Sequence, residues 1–454
     1  MSTMDKYTGT LSERAESALL ARDYAALRAM LSEQHAADVS DLLSDMAPAE
    51  AAVVFRLLPK GEAAEAFAMM GVPAQQALVT SFSDAETVAL VESLYMDEAV
   101  DFLEELPANA VRHIVLNSAP ETRAQLNRLL QYKDGTAGSV MTTELMRFTD
   151  ESTVGDAIRA IRETPRKLAM DHVLYITDRE RHLLGDVNLY DLMTARDDQM
   201  LEELVDKPIQ KVDTDESTDE VIAQFRRYNL YAMPVVDTEN RLVGVVALED
   251  VLDLADRQAT QDVELMAAMH PSEASYLDTT IPRHARNRLP WLLLLLVSGM
   301  LNGVILGGFE QVFMTVPLLV TFIPMLTDTG GNAGSQSSTL VIRSLAMGEM
   351  TIKDAGGVLW KELGVSIVVS VGVGLITCVR VMTMQSGSLL LALTVVTALT
   401  AIVIMSKLLG GLLPLLADKL HMDPALMAGP LITTIVDALG LIIYFTAAKL
   451  FLGL

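Results

Sequence analysis

The chain reads as a multidomain protein: a superhelical all-α N-terminal domain, a duplicated α/β module, a long connecting helix and an all-α membrane domain of five helices. Three observations predict this order. Charge is divided unequally: of 454 residues, 51 of the 59 acids and 24 of the 34 bases precede Arg283, a balance of −27 before it and +2 after it. The stretch Thr-Asp-Glu-Ser-Thr occurs twice, at 149–153 and at 214–218. From Pro290 onward, apolar runs of membrane length or near it follow one another. The expected boundaries are 1–135 for the helical domain, 136–255 for the duplicated module, 256–282 for the connecting helix and link, and 283–454 for the membrane domain.

Composition narrows the function. Phosphate backbones are bound by Lys and Arg, so a soluble half this acidic argues against nucleic acid as a partner. It suits cations, although an acidic surface often does no more than keep a domain in solution. The single cysteine, Cys378, excludes an intrachain disulfide and a thiolate metal site. The seven histidines are scattered, so any metal is expected to be held by oxygen, the chemistry of hard cations. No nucleophile–base pair or phosphate loop points to an enzyme. The N-terminus lacks a basic-then-apolar signal pattern, and the soluble half is therefore expected to stay in the cytoplasm.

Taken in order, residues from about 11 to 130 alternate short amphipathic pieces (VSDLLSDM, EAAVVFRLL, DEAVDFLEEL) with Pro, Gly, Ser or Asp, the pattern of stacked short helices. After each TDEST the chain predicts a short helix, two strands around a turn and a further helix. The first copy is six residues longer, with the extra around Pro165–Met170. Residues 249–269 predict a long helix carrying Asp250, Asp253 and Asp256 at three-residue steps, a spacing that equally describes a solvated face. Five apolar segments follow: PWLLLLLVSGMLNGVILGGF, QVFMTVPLLVTFIPML, VSIVVSVGVGLITCV, LLLALTVVTALTAIVIM continuing to LLPLL, and ALMAGPLITTIVDALGLIIYF. Arg283, Arg286 and Arg288 precede the first, Arg343, Lys353 and Lys361 lie between the second and third, and Lys419 lies between the fourth and fifth. The positive-inside rule then puts the N-terminus in the cytoplasm and the C-terminus outside.

Two stretches within the membrane half carry chemistry. In GPLITTIVDALGLIIYF, 429–445, one carboxylate stands in an apolar run, and helical spacing sets Thr433, Thr434 and Asp437 on or near one face. An ionisable group inside a span is costly and marks a functional site by default; the plainer reading is an Asp near the interface or bonded to a neighbouring helix. In PMLTDTGGNAGSQSSTLVIRSLA, 324–346, glycines and polar groups interrupt the hydrophobicity. Such a piece is tolerated in a membrane where it packs on protein or lines a wet cavity. Lys407, inside the fourth segment, reads as snorkelling or paired within the bundle.

The duplicated β-α-β-β-α pattern from about 138 to 255 resembles a pair of CBS domains. Nucleotide-binding members carry a Gly-h-h-Thr/Ser-x-x-Asp turn after the last strand. Here GDVNLYD and GVVALED keep Asp191 and Asp250 but place Asn188 and Ala247 at the hydroxyl position. The resemblance thus implies an adenosine-nucleotide (ATP) site at Asp191 and Asp250 that lacks one of its groups.

PMLTDTGGNAGSQ, the VIRSLA after it, and LLPLLADKLHMDPALMAGPLITTIVDALGLIIYF (412–445) resemble the MgtE family of magnesium channels, and the domain order fits along nearly the whole chain. The resemblance implies a homodimer in a bacterial plasma membrane, with spans two and five of each chain around a central pore. Asp437 would be the pore acid, with Thr433 and Thr434 beside it, and Asp328, Gly330, Gly331, Asn332, Gly334 and Gln336 would form the pore-lining motif. Mg²⁺ would be both transported and regulatory, closing the pore when abundant by bridging Asp97, Asp101, Asp219, Asp250 and Asp253. Asn229, Gln258 and Gln261 stand where the family pattern expects acids, so gating is expected to need more Mg²⁺ or to be partly lost. A cation-coupled secondary transporter of divalent metals and a non-conducting, membrane-tethered Mg²⁺ sensor are the alternatives.

Overall fold

Short helices stack when each has one apolar face and a sharp stop, and the N-terminal part of the chain supplies both. The computed structural model describes residues 10–163, 170–205, 209–272, 276–277, 279–384 and 388–453. Helices of eight to ten residues run from α1 (Leu11–Leu20) to α10 (Pro120–Leu129). Proline lies at the first or second position of α4 (Pro48–Phe55), α6 (Val72–Val79) and α10, where a missing N–H leaves nothing unpaired. Ser83 opens α7 (Asp84–Val91) with a capping box: the Glu86 carboxylate accepts the Ser83 N–H at 2.8 Å, and the Ser83 hydroxyl accepts the Glu86 N–H at 3.4 Å. Inside, Phe67 and Phe102 meet edge to face with 5.1 Å between ring centroids.

The two copies of the α/β module take the expected form. β1 (Leu145–Thr149), α11 (Val154–Glu163), β2 (Met170–Thr177), β3 (Leu183–Asn188) and α12 (Leu189–Thr194) make the first. β4 (Val212–Asp213), α13 (Thr218–Tyr228), β5 (Ala232–Val236), β6 (Leu242–Ala247) and the start of α14 (Leu248–Met266) make the second. In each three-stranded sheet the first pair is parallel across the helix and the second pair is an antiparallel hairpin. Most of the extra residues of the first copy (164–169) lie outside the described residues. The hairpin tips touch: Leu183 N–H donates to Asn240 O at 3.1 Å and Leu242 N–H to Arg181 O at 2.9 Å. The helical domain shares its core with the second copy, Leu126, Leu129 and Met141 lying in one apolar cluster with Phe225, Met233 and Val246.

Asn229 has a local explanation. It closes α13 at φ 52°, and its N–H bonds back to Phe225 O. Asparagine tolerates this left-handed cap better than most residues.

The C-terminal unit holds five long helices among the described residues: α15 (Ile281–Gly307), α17 (Ile323–Ala346), α18 (Ala355–Met384), α19 (Leu389–Lys419) and α20 (Gly429–Leu452). Four of the five expected spans correspond to helices long and apolar enough to cross a membrane, within Ile281–Gly307, Ile352–Thr383, Leu389–Lys419 and Pro424–Leu452. The second differs. QVFMTVPLLVTFIPML is divided into α16 (Glu310–Thr315), a 3₁₀ turn over Pro317–Phe322 and the first turn of α17. Pro317, which lacks an N–H, stands at the break. The stretch whose glycines and polar groups interrupt the hydrophobicity lies within α17, a continuous helix of 24 residues.

Candidate functional site

Glycine is a poor helix former, yet α17 holds Gly330, Gly331 and Gly334 within five positions. Packing explains them. A Cβ at Gly330 would sit 2.6 Å from Ile402 Cγ2, and one at Gly331 would sit 2.9 Å from Thr433 Cγ2. At Gly334 it would lie 2.5 Å from Ser406 Oγ and 2.6 Å from Ile432 Cγ2. The glycines therefore let α19 and α20 approach the α17 backbone, the small-residue packing of membrane helices. Hydroxyls stitch the contact: Ser406 Oγ donates to Gly330 O at 2.5 Å and Ser338 Oγ to Met427 O at 2.7 Å. The polar members of the motif, Asp328, Asn332 and Gln336, recur every four residues and are exposed. They form a polar stripe on α17 apart from the buried glycines.

On α20, Thr433 and Thr434 turn their hydroxyl hydrogens back to Gly429 O at 2.8 Å and Pro430 O at 2.9 Å, leaving each oxygen free to accept. One turn on is Asp437, half-buried, whose Oδ1 is shielded from solvent and has no hydrogen-bond partner. The charged group that acts on it is Asp328 of α17. Two carboxylates and two hydroxyl oxygens thus belong to neighbouring helices with no base paired to them among the described residues, an arrangement that attracts a hydrated cation.

Lys407 does not snorkel. It is 4% exposed, and its Nζ donates to Ser337 Oγ at 3.3 Å and lies 3.5 Å from Ala333 O. Ser337 Oγ in turn donates to Glu362 Oε2 at 2.6 Å. Lysine on α19, serine on α17 and glutamate on α18 form one hydrogen-bonded relay.

A second site lies in the soluble unit, where α8 (Met96–Glu104) opens with two acids, Asp97 and Glu98, and carries Asp101 a turn further on. Asp97 Oδ1 is buried with no hydrogen-bond partner. Burial, and after it the charges of Glu144 and Asp101, push its carboxyl up to about 6. Burial, with Asp97, Glu144 and Asp250 nearby, pushes Glu98 up to about 8. Burial, with Asp97, Glu249 and Asp101, pushes Asp250 up to about 7. Glu144 Oε2 accepts the Met96 N–H at 3.1 Å and the Thr142 hydroxyl at 3.0 Å. The structure thus gathers Asp97, Asp101 and Asp250 and adds Glu98, Glu144 and Glu249, which sequence reasoning missed. Asp219, in the first turn of α13, and Asp253, on α14, are exposed and are not among the acids that perturb this group most. Among the described residues, no three of these side chains are disposed to hold a metal ion as they stand. Asp191 belongs to neither cluster: its N–H bonds to Asn188 Oδ1 at 2.8 Å, and the Asn188 amide donates to its carboxylate.

Membrane-length helices, a glycine-packed helix pair with an unpartnered carboxylate, and a soluble acidic unit with paired CBS-like folds define a multi-pass cation-transport protein. The comparisons agree. The sequence matches the MgtE divalent cation transporter family over 323–447, the MgtE intracellular N domain over 34–135, and the CBS domain over 137–198 and 201–257. It is 32% identical over 446 residues to the magnesium transporter MgtE of Thermus thermophilus, covering 97% of this chain and 98% of that one. It is 31% identical to the magnesium transporter MgtE of Enterococcus faecalis, over 73% of this chain and 72% of that one. Among solved structures it is similar to the cytosolic domain of the Mg²⁺ channel MgtE in complex with ATP, at 29% identity and a TM-score of 0.51, over 54% of this chain and 99% of that one. The chain belongs to the MgtE family: a multi-pass membrane protein with a cytosolic N-terminal domain, whose work is transport rather than catalysis.

Proposed function

We propose that the chain is a passive Mg²⁺ channel that imports the ion across a bacterial plasma membrane and is closed by cytosolic Mg²⁺. It works as a homodimer, with α17 and α20 of both copies flanking one pathway and the C-terminus outside. The observation that carries the reading is Asp437, a carboxylate on a membrane helix with an oxygen that has no hydrogen-bond partner among the described residues. Two copies across a two-fold axis present paired carboxylates, with the Thr433 and Thr434 oxygens, to an ion that keeps its waters. Mg²⁺ gives those waters up reluctantly, and contact through them selects it without stripping them. Asp328, Asn332 and Gln336 extend the polar lining.

Asp97, Asp101 and Asp250, with Glu98 and Glu144, are the acids through which Mg²⁺ reports on its own level; Asp219 and Asp253 serve where a further surface meets them. Their all-oxygen chemistry fits a hard cation. Asn229, Gln258 and Gln261 lower the charge available for this sensing, so closure needs more Mg²⁺. ATP, which the similar cytosolic domain holds, would meet Asp191 here.

The test is Mg²⁺ flux in liposomes reconstituted with the full chain or with Asp437→Ala, at low and high Mg²⁺ on the cytosolic side. Flux that falls with Asp437→Ala and shuts off at high Mg²⁺ supports pore and sensor together. No flux from either chain, with Mg²⁺ still changing protease sensitivity of the acidic half, overturns conduction and leaves a tethered sensor. Flux that requires a second ion's gradient replaces the channel with a coupled transporter.

A further inference from the structure

In a soluble half dominated by acid, one concave site is basic. A cavity of about 280 Å³ lies between α10, the first CBS-like copy and β6 of the second. Arg128 of α10, Arg147 of β1 and Arg181 of the β2–β3 turn line it, with Gln125 and Thr143 and a floor of leucine and valine side chains. None of the three guanidinium groups has an ion-pair or hydrogen-bond partner among the described residues, although 51 acids share this half of the sequence. Thr143 Oγ1, in the same wall, is a buried oxygen with no hydrogen-bond partner. Burial, and after it the charge of Arg181, hold the Arg147 guanidinium below its usual value. All three side chains are exposed to solvent at the cavity mouth, with no carboxylate paired to them among the described residues.

The repeat supplies an internal control. Arg181 takes φ 74° at the hairpin tip, and the matching residue of the second copy, Asn240, takes φ 62°. Asparagine is at home in this left-handed region and arginine is not. Arg147 likewise matches Val212. Both arginines are thus particular to the first copy, one of them in a strained conformation, and such strain marks sites held for function.

We propose that this cavity binds a multiply charged oxyanion of the phosphate class, which clamps α10 to the first CBS-like copy. Three guanidinium groups match phosphate oxygens in planar, multidentate fashion, and Thr143 and Gln125 supply neutral hydrogen bonds. The volume lies just under the roughly 300 Å³ at which sites for drug-sized ligands begin, which suits a short inorganic polyphosphate or the phosphate tail of a nucleotide. Asp191 and Asp250, the acids of the CBS nucleotide pattern, do not line the cavity.

The probe is inorganic tripolyphosphate, titrated calorimetrically into the full chain in detergent, free of Mg²⁺ and at fixed ionic strength. ATP forms a second arm. Arg181→Asn, which places the second copy's residue at the tip, is expected to weaken tripolyphosphate about tenfold or more, the worth of one charge-assisted hydrogen bond. Its melting temperature should be unchanged or higher, because the strain is relieved. Arg147→Gln with Arg181→Asn is expected to abolish binding. ATP weakened in parallel identifies a nucleotide tail as the ligand; ATP bound undiminished, and lost instead with Asp191→Ala, assigns the cavity to free polyphosphate. Tripolyphosphate that binds the double variant as well as the native chain, or that fails to bind the native chain, overturns the proposal. A basic cavity filled by an acidic segment of a second copy would give that last result.

Discussion

Replacing Lys407 by Met tests whether the relay between α17, α18 and α19 acts as a unit. The Lys407 ammonium is almost wholly enclosed and donates to Ser337 Oγ at 3.3 Å, while Ser337 donates to Glu362 at 2.6 Å. Removing one charge from such a set leaves the other without compensation, at a cost of about 3–5 kcal/mol. For a folding unit of this size that lowers the melting temperature by about 6–20 °C. Glu362 is only half-buried and keeps the Ser337 hydrogen bond, so Lys407→Met should fall at the lower end of that range, whereas Glu362→Gln leaves the enclosed ammonium without a counter-charge and should fall at the upper end, about 5 kcal/mol. The double variant carries neither charge, and its loss should fall short of the sum of the singles by about 0.5–3 kcal/mol, as for residues in one network. The assay is thermal unfolding of the purified full chain in one detergent, for all four members of the cycle. Additivity of the two singles within about 0.5 kcal/mol would refute the coupling. A Lys407→Met chain as stable as the native one would show that the ammonium contributes nothing.

Gly334→Val should destabilise the membrane unit by about 1–3 kcal/mol or more through overpacking against Ser406 and Ile432. Gly303→Ala, with no atom within 4 Å of the added Cβ, should not; paired melting curves decide this. Tyr444→Phe removes the hydroxyl that donates to Leu319 O at 2.9 Å and should cost about 1–2 kcal/mol by leaving that carbonyl unpaired, read in the same assay. The acid cluster predicts a pH dependence with a definite sign. Asp97, Asp250 and Glu98 titrate in the folded unit at about 6, 7 and 8, above ordinary carboxylates. At this cluster the folded state therefore holds more protons than the unfolded one, and the cluster's contribution to stability is fully present below about pH 4 and is lost as pH rises through these values. Without Mg²⁺, protease sensitivity around α8 should grow between about pH 5 and 8, and added Mg²⁺ should reverse it at the upper end; a flat profile would contradict the clustering.

Local signals in the sequence were read correctly where local chemistry decides. The Pro, Gly, Ser and Asp breaks between amphipathic pieces fall at helix starts, as at Pro48, Ser83 and Pro120, and the TDEST duplication exposes the CBS-like folds because a repeat is visible without any contact. Hydropathy misplaced the second membrane segment. It followed the apolar run 311–326, whereas the helix that forms there begins at Ile323 and continues through glycines and amides. What stabilises that helix is packing on α19 and α20, and contacts far apart in sequence leave no periodic trace. The regulatory acids show the same limit. Among 59 acidic residues, nothing local distinguishes Glu98 and Glu144, which lie beside Asp97, from Asp253, which lies in solvent. Lys407 was visible as an anomaly, but its partner Glu362, 45 positions away in the chain, was not.

The polar stripe on α17 bears on how the protein enters its membrane. A segment with Asp328, Asn332 and Gln336 at four-residue intervals is a poor candidate to partition alone into acyl chains, and it is the one long helix of the five that falls short on apolarity. Its glycine face meets residues of α19 and α20, which are synthesised later. The nascent chain must therefore keep α17 sheltered, at the translocation machinery or at the interface, until those two helices emerge to receive it. Biogenesis here is governed by a waiting time set by elongation of roughly a hundred further residues, at about 5–20 residues per second.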